Sequence, residues 1–218
     1  MKQTMKFLSL VATMMLLIGA TLAGQPDDFT LRIGGFAFDP VVSEPELPEG
    51  WTVPTSDLPD LHLVQFDQAT AAGTMEMLRA AGLEPVQYIH PYTYIVWGRG
   101  SERIGLNGRQ TVRWTGDFAP AFRVQPGLRS STQSELQVDV LIYRGSGVDQ
   151  VLDIISSSHG GTLTGRMPFQ DKLEIAGFTL AGDQLRAVAS LPGVYSVQRR
   201  NQPAARAEAA AQISAGNL

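Results

Sequence analysis

Apolar and polar residues alternate most regularly in the second half of the chain. From Leu136 to Ile142 every second side chain is aliphatic, which is the period of a half-buried strand. From Val148 to Ile155 the apolar residues follow at i, i+3, i+4 and i+7, so they share one face of a helix. The glycine pair at 160–161 ends that helix, because glycine readily adopts the left-handed conformation found at helix C-termini.

Residues 162–200 predict three more strands and a second helix. Residues 162–168 and 172–180 predict two strands joined by a turn. Asp183 is suited to cap a second helix, which the Pro-Gly pair at 192–193 stops. Residues 194–200 predict a final strand, so the order of elements is βαββαβ.

A fainter copy of the same order precedes this one. Its longer helix carries Ala71, Met75 and Leu78 on one face, and Gly82 ends it. The βαββαβ order is typical of the ferredoxin-like plait, in which two helices cover one face of a four-stranded antiparallel sheet. We therefore predict an α+β protein made of two tandem ferredoxin-like plaits with antiparallel sheets. In the first copy the predicted strands are 61–67, 85–90, 92–98 and 111–115, and the predicted helices are 69–81 and 102–107.

Proline and glycine mark the boundaries of these two segments. Six prolines between residues 24 and 60 predict an extended arm with at most one short strand, at 29–38. The predicted division is a signal peptide at 1–23, the arm at 24–60, domain 1 at 61–118, a linker at 119–134, domain 2 at 135–200 and a C-terminal tail at 201–218.

The N-terminal segment has the pattern of a secretory signal peptide. Lys2 and Lys6 precede an almost wholly apolar run at 7–23, and small residues precede a cleavage point before Gly24. The alternative is an uncleaved membrane anchor, although the run is short for a bilayer span. Removal of the segment takes the net charge from −4 to −6. We expect a secreted protein or one of the bacterial cell envelope, with no membrane partner after cleavage.

Composition excludes several kinds of chemistry. The chain has no cysteine, so it has no disulfide, thiolate zinc site, iron–sulfur cluster or cysteine nucleophile. A net charge of −4 gives no electrostatic attraction to nucleic acid. His62 and His90 are far apart in sequence from each other and from other histidines, and Asp57, Asp60 and Asp67 are scattered. We predict no metal site, no cofactor and no catalytic residue.

Two local patterns have both a structural and a functional interpretation. His159 follows three serines, but the periodicity places it in the last turn of a helix, where a histidine complements the helix dipole. No Gly-x-Ser-x-Gly motif accompanies it. Aromatic residues of the first segment would either pack the sheet, which we favour, or form a binding platform; they are Tyr88, Tyr92, Tyr94, Trp97 and Trp114.

Four stretches carry a family resemblance. They are 63–67 (Leu-Val-Gln-Phe-Asp), 88–96 (Tyr-Ile-His-Pro-Tyr-Thr-Tyr-Ile-Val), 112–116 (Val-Arg-Trp-Thr-Gly) and 120–124 (Pro-Ala-Phe-Arg-Val). Together they resemble the N-terminal propeptide region, a tandem prodomain, of bacterial subtilisin-like serine proteases (the subtilase family). The resemblance is closer over the first segment than over the second, where such proteins can carry another plait.

This resemblance implies a non-catalytic chain that assists the folding of a subtilisin-like serine protease and inhibits it, in cis or in trans. The protease domain with its Asp, His and Ser would follow at about the point where this chain stops, which fits either a fragment of a longer protein or a truncated reading frame. The segment after the last strand would occupy the protease cleft. Its predicted contacting residues are Tyr195, Ser196, Val197, Gln198, Arg199, Arg200, Asn201 and Gln202.

Two other functions fit the sequence. One is a free-standing adaptor that binds an envelope partner and has no connection with proteolysis. The other is a small hydrolase in which His159 acts with Asp153 or with a nearby serine.

Overall fold

Two four-stranded antiparallel sheets organise the described part of the chain. The computed structural model describes residues 28–53, 56–68 and 73–200. Within these ranges, helices and one hairpin accompany the sheets. The predicted α+β class with antiparallel sheets is confirmed.

A hairpin lies where the sequence predicts an extended arm. Strands β1 (Leu31–Ile33) and β2 (Phe36–Phe38) pair through the turn Gly34-Gly35. Both glycines have positive φ, which two-residue hairpin turns require and which other residues rarely adopt. The prediction of at most one strand missed this turn. Leu31 and Phe38 are buried, so the arm is part of the core.

The first sheet and its two short helices follow the chain order βαββαβ. The elements are β3 (Asp60–Phe66), α1 (Thr74–Ala80), β4 (Glu84–Ile89), β5 (Thr93–Gly98), α2 (Gly100–Ile104) and β6 (Val112–Asp117). Across the sheet the strand order is β4-β5-β3-β6.

Helix α2 begins two residues before its predicted start. The Glu102 carboxylate accepts a hydrogen bond from the Arg99 backbone N–H at 2.6 Å. The Asp57 carboxylate accepts one from the Ser101 N–H at 2.9 Å. These carboxylates satisfy backbone donors in the first turn, so the helix starts at Gly100 without a Ser, Thr or Asn cap. The predicted start of α1, residues 69–72, lies outside the described residues.

The second sheet repeats the order of the first. After α3 (Pro120–Arg123), the elements are β7 (Leu136–Tyr143), α4 (Val148–Ser158), β8 (Thr162–Phe169), β9 (Leu173–Leu180), α5 (Leu185–Ala189) and β10 (Val194–Arg199). Across this sheet the strand order is β10-β7-β9-β8. Strand β8 is therefore one edge and β10 the other.

The two sheets pack against each other, and their helices lie on the outer sides. The middle core joins Leu63 and Ile95 of the first sheet to Leu141 and Leu173 of the second. The same core takes in the hairpin and α3 through Leu31, Phe38 and Phe122. Each sheet also forms a core with its own helices. Val64 is buried in the core of the first sheet and Val140 in that of the second.

Strand β7 is buried on both faces over its second half, which differs from the half-buried strand predicted for it. Val138, Val140 and Ile142 face the helices, as the alternation indicates. Leu141 and Tyr143 face the first sheet, and the Tyr143 ring lies 5.3 Å from that of Trp97. The second apolar face exists because another sheet covers it.

Among the described residues no helix is long and apolar enough to cross a membrane. The predicted signal peptide, 1–23, lies outside the described residues.

Candidate functional site

The predicted contacting segment is mostly part of the second sheet. Residues Tyr195 to Arg199 belong to β10, whereas Asn201 and Gln202 lie outside the described residues. Val197 is fully buried, and Tyr195 is half-buried with its ring 5.9 Å from that of Phe118. Burial raises the pKa of the Tyr195 phenol.

The outer edge of β10 is partly occupied by the stretch after α3. The Gln125 backbone N–H donates to the Val197 carbonyl at 2.9 Å. The Arg199 N–H donates to the Gln125 side-chain oxygen at 3.0 Å. Strand β10 is thus paired with β7 on one edge and held at Val197 and Arg199 on the other, and the chain leaves the sheet at Arg200.

Arg200 holds this exit point against the face of the sheet. Its backbone N–H donates to the Gln137 carbonyl at 2.9 Å, which extends the pairing with β7 by one residue. Its Nε donates to Asp139 Oδ1 at 2.8 Å, and Nη1 donates to Thr164 Oγ1 at 2.7 Å. One side chain therefore reaches from β10 across the sheet to the opposite edge strand. We call this set of contacts the Arg200 clamp.

Gly177 makes room for the Arg200 clamp. It lies on β9, between Asp139 of β7 and Gly165 of β8 in the strand register. A Cβ atom on Gly177 would overlap the Arg200 guanidinium, whereas one on Gly165 would meet nothing within 4 Å. The sequence analysis missed this site, although a lone glycine inside a predicted strand indicates a close approach of other atoms.

The face of the second sheet that looks away from its helices has a covered end and a free end. At the covered end, Tyr143 and Leu173 pack on the first sheet, and the Lys172 ammonium binds the Glu84 carboxylate and the Pro85 carbonyl. At the free end lie exposed or half-buried polar residues; they are Gln137, Asp139, Thr164, Thr179, Gln198 and Arg200.

Edge strand β8 is exposed along its whole length. All eight residues from Thr162 to Phe169 are exposed, with Met167 59% and Phe169 37% accessible. Met167 pairs with Ile175, so it continues the apolar face of the middle core beyond the area that the first sheet covers. Pro168 has no N–H to donate, which limits pairing along this edge. Alternation in the sequence could not reveal that both faces of β8 are open.

His159 is the C-cap residue of α4, directly after its last residue and one position beyond the last turn in which the sequence analysis places it. Its Nδ1 lies 3.2 Å from the Gln184 side-chain oxygen. The Ser157 hydroxyl donates to the Asp153 backbone carbonyl at 2.7 Å. No contact described for His159 joins it to a serine or to Asp153.

The other histidines of the sequence analysis lie apart. His62 is buried between Asp117 and Gly98, and the His90 ring lies 6.4 Å from that of Tyr92. Asp57 binds the start of α2, and Asp60 pairs with Arg123. Across residues 28–53, 56–68 and 73–200, no group of three His, Asp or Glu could hold a metal ion.

The aromatic residues considered as a platform are divided between two cores. Trp97 and Trp114 pack on the middle core, whereas Tyr92 and Tyr94 pack on the core beneath α1. Tyr88 and Tyr94 make an edge-to-face pair at 5.2 Å. This division fits sheet packing better than a common binding surface.

Asp117 gives a pH-dependent contribution to stability. The hydrogen bond with His62, followed by the charge of Arg103, holds the pKa of Asp117 below its usual range, although partial burial opposes this. A carboxyl with a lowered pKa in the folded state stabilises the protein above its ordinary pKa and stops doing so as the pH falls through the lowered value.

We therefore expect Asp117→Asn to reduce the loss of stability below about pH 4. Urea unfolding at pH 7 and at pH 3 measures this, with Asp153→Asn, on the exposed side of α4, as the matched control. An acid-induced loss of equal size in Asp117→Asn and in the parent chain would contradict the prediction.

A family model matches the first unit of the chain. Residues 32–119 match a family model described as Domain of unknown function (DUF8729). That stretch contains the hairpin from its second residue, the whole first sheet with its helices, and the residue before α3. No curated protein and no solved structure matches the chain. The match joins the hairpin to the first sheet in one family unit, in agreement with their shared core.

Proposed function

We propose that the chain is a non-catalytic, prodomain-like module that binds a subtilisin-like serine protease, assists its folding and inhibits it. The observation that carries the proposal is the Arg200 clamp. It fixes the point at which the chain leaves the second sheet, beside a sheet end that nothing in the described chain covers. Because Arg200 is held in place, the residues after it would start from a fixed position and approach a partner from one direction.

We further propose that each sheet with its two helices is a ferredoxin-like plait. The order of the strands across each sheet supports this. When the four strands of a unit are numbered along the chain, both sheets have the order 4-1-3-2. Each unit also has one helix in each of its two crossovers.

The free end of the second sheet provides the contact surface in this proposal. The covered end is packed on the first sheet, so a partner would meet β8 with Met167 and the polar residues around Arg200. The residues after Arg200 would then lie extended in the protease cleft. Pairing of such a segment with the edge of another sheet needs main-chain hydrogen bonds rather than reactive side chains.

Substitution of Gly177 tests the role of the clamp. In Gly177→Ala the new methyl group displaces the Arg200 guanidinium, so the exit point loses its side-chain contacts and keeps only its backbone bond to Gln137. We expect the inhibition constant against a purified subtilisin-type protease to rise roughly tenfold, the equivalent of one charge-assisted hydrogen bond. Hydrolysis of a chromogenic peptide measures the constant.

Gly165→Ala is the matched control, since it adds the same methyl group on the paired position of the neighbouring strand without a contact. Equal inhibition constants for the two variants would contradict a role of the Arg200 clamp in inhibition. Binding to a partner without any protease inhibition would favour the adaptor function instead.

A further inference from the structure

Strand β6 is an edge of the first sheet, and its second half has free backbone groups. It pairs with β3 on one side, and among the described residues no other strand pairs with it. Across that pair the Phe118 N–H donates to the Leu61 carbonyl. Because inward and outward backbone groups alternate along an antiparallel strand, the N–H and C=O groups of Thr115 and Asp117 point away from β3.

The arm covers the beginning of β6 and leaves a groove beside its end. Asp39 of the arm binds the Arg113 guanidinium through both carboxylate oxygens, at 2.7 and 2.8 Å. Farther along, a cavity of about 310 Å³ lies between arm residues 44–53 and strand residues 114–117. We call this cavity the β6 groove. It lies where the free backbone groups of the strand are.

The two sides of the β6 groove differ in polarity. On the side of α2, Arg103 donates to the Thr115 hydroxyl at 3.3 Å and binds the Asp117 carboxylate at 3.2 Å. An extended peptide places successive side chains on opposite faces, so one with alternating polar and apolar residues fits both sides. Apolar side chains of the middle core line the other side; they are Phe38, Leu47, Val53, Trp114, Ala119 and Phe122.

The arm makes the surroundings of the groove acidic. Residues 33–78 contain no lysine or arginine. Glu44 lines the groove, and Glu46 and Glu49 are exposed on the same stretch of the arm. Arg103, the basic residue of the lining, is already paired with a carboxylate. The field at the groove therefore attracts a positively charged ligand and repels a negatively charged one.

We propose that the β6 groove binds an extended basic peptide segment of a partner protein, in which arginine or lysine alternates with apolar residues. The main chain of this segment adds a strand to β6 at Thr115 and Asp117. Its apolar side chains enter the side of the middle core, and its basic side chains meet Asp117 and Glu44. A second copy of this chain is not the occupant, since its net charge is negative. The groove belongs to the arm and the first unit, so it is independent of the Arg200 clamp.

Fluorescence anisotropy of a labelled peptide, Arg-Leu-Arg-Val-Arg-Leu-Arg, with the chain from residue 24 onward tests the charge of the ligand. We expect the basic peptide to bind at least about tenfold more tightly than the same peptide with glutamate in place of arginine. An absence of binding by the basic peptide at about 1 mM would overturn the proposal. Equal binding of the two peptides would do the same.

Methylation of the peptide's main-chain nitrogens tests the addition of a strand. One peptide is methylated at its arginines and another at its apolar residues, so each keeps the side chains and loses one set of donors. We expect the first to bind at least about tenfold more weakly than the parent peptide if the added strand is antiparallel to β6, and the second if it is parallel. If both bound as tightly as the parent peptide, strand addition would be wrong.

Glu44→Lys tests the place of binding, with Glu135→Lys as the matched control. Glu44 lines the groove, whereas Glu135 is an exposed carboxylate in the stretch before β7. Both variants change the net charge equally. We expect the dissociation constant of the basic peptide to rise roughly tenfold in Glu44→Lys and by less than about twofold in Glu135→Lys. Equal weakening in the two variants would mean that overall charge alone attracts the peptide, which would overturn the site.

NMR spectra of the parent chain give a readout that needs no variant. With the basic peptide bound, we expect the amide signals of Thr115 and Asp117 to shift and their hydrogen exchange to slow at least about tenfold. The amides of Thr164 and Met167, on exposed edge strand β8, should stay unchanged. Shifts along β8 without shifts in β6 would overturn the proposal.

Discussion

Replacement of Asp60 by asparagine is expected to lower the free energy of unfolding by about 3–5 kcal/mol. Asp60 binds Arg123 through both carboxylate oxygens, at 3.2 and 2.8 Å, and accepts the Gly193 N–H at 3.0 Å. The Arg123 side chain is fully buried, and it also donates to the carbonyl of Phe118. Asp60→Asn leaves that guanidinium buried without its counter-charge. The effect is large because the ion pair joins the first sheet, α3 and the turn before β10.

Urea unfolding of Asp60→Asn beside Asp149→Asn measures this effect. Asp149 also pairs with an arginine, Arg166, but the side chains are 84% and 46% accessible. Exposed ion pairs contribute little, so Asp149→Asn should leave the unfolding midpoint nearly unchanged. Similar losses of unfolding free energy in the two variants would contradict the prediction that the buried ion pair stabilises the fold more than the exposed one.

The second large effect is expected from the arm. Phe38 is 7% accessible, and its ring stacks on that of Phe122 at 5.9 Å in the middle core. We expect Phe38→Ala to lower the free energy of unfolding by about 3–5 kcal/mol, through lost apolar burial and the cavity left behind.

Val42→Ala provides the control for this substitution. Val42 lies in the same arm but is 78% accessible, so its truncation should change the stability by less than about 0.5 kcal/mol. If Phe38→Ala were as mild as Val42→Ala in thermal unfolding, the arm would not be part of the core.

Local patterns were sufficient to predict most of the elements. The alternation in β7 and the helical spacing from Val148 to Ile155 match the strand and helix found there. The order of strands and helices follows from the same patterns in both units. These signals are local, because burial on one face of a strand or helix determines each of them.

Packing between the two units could not be predicted in this way. Tyr143 and Asp139 both count as outward-facing in the alternation, yet one is buried on the first sheet and the other binds Arg200. The prolines of the arm indicate an extended segment, whereas Gly34-Gly35 turns it into a hairpin that packs on Phe122. Such contacts depend on which surfaces meet, and no periodicity encodes that.

The candidate site depends on contacts of the same long-range kind. Asp139, Gly177 and Thr164 come from three strands, Arg200 follows a fourth, and they are up to 61 residues apart, so no short motif contains them. The predicted segment from Tyr195 onward includes most of β10 and Arg200. It could not show that β10 is held on both edges and that the exit lies at Arg200.

Inhibition of a protease by the chain with and without its last segment tests the proposed function most directly. Residues 24–218 and a chain that ends at Arg200 are each titrated against a purified subtilisin-type protease and against a trypsin-type protease, with a chromogenic peptide as substrate. We predict that the longer chain inhibits the subtilisin-type enzyme alone and that removal of residues 201–218 weakens this inhibition at least tenfold. An absence of inhibition by the longer chain, or equal inhibition by both chains, would contradict the proposal.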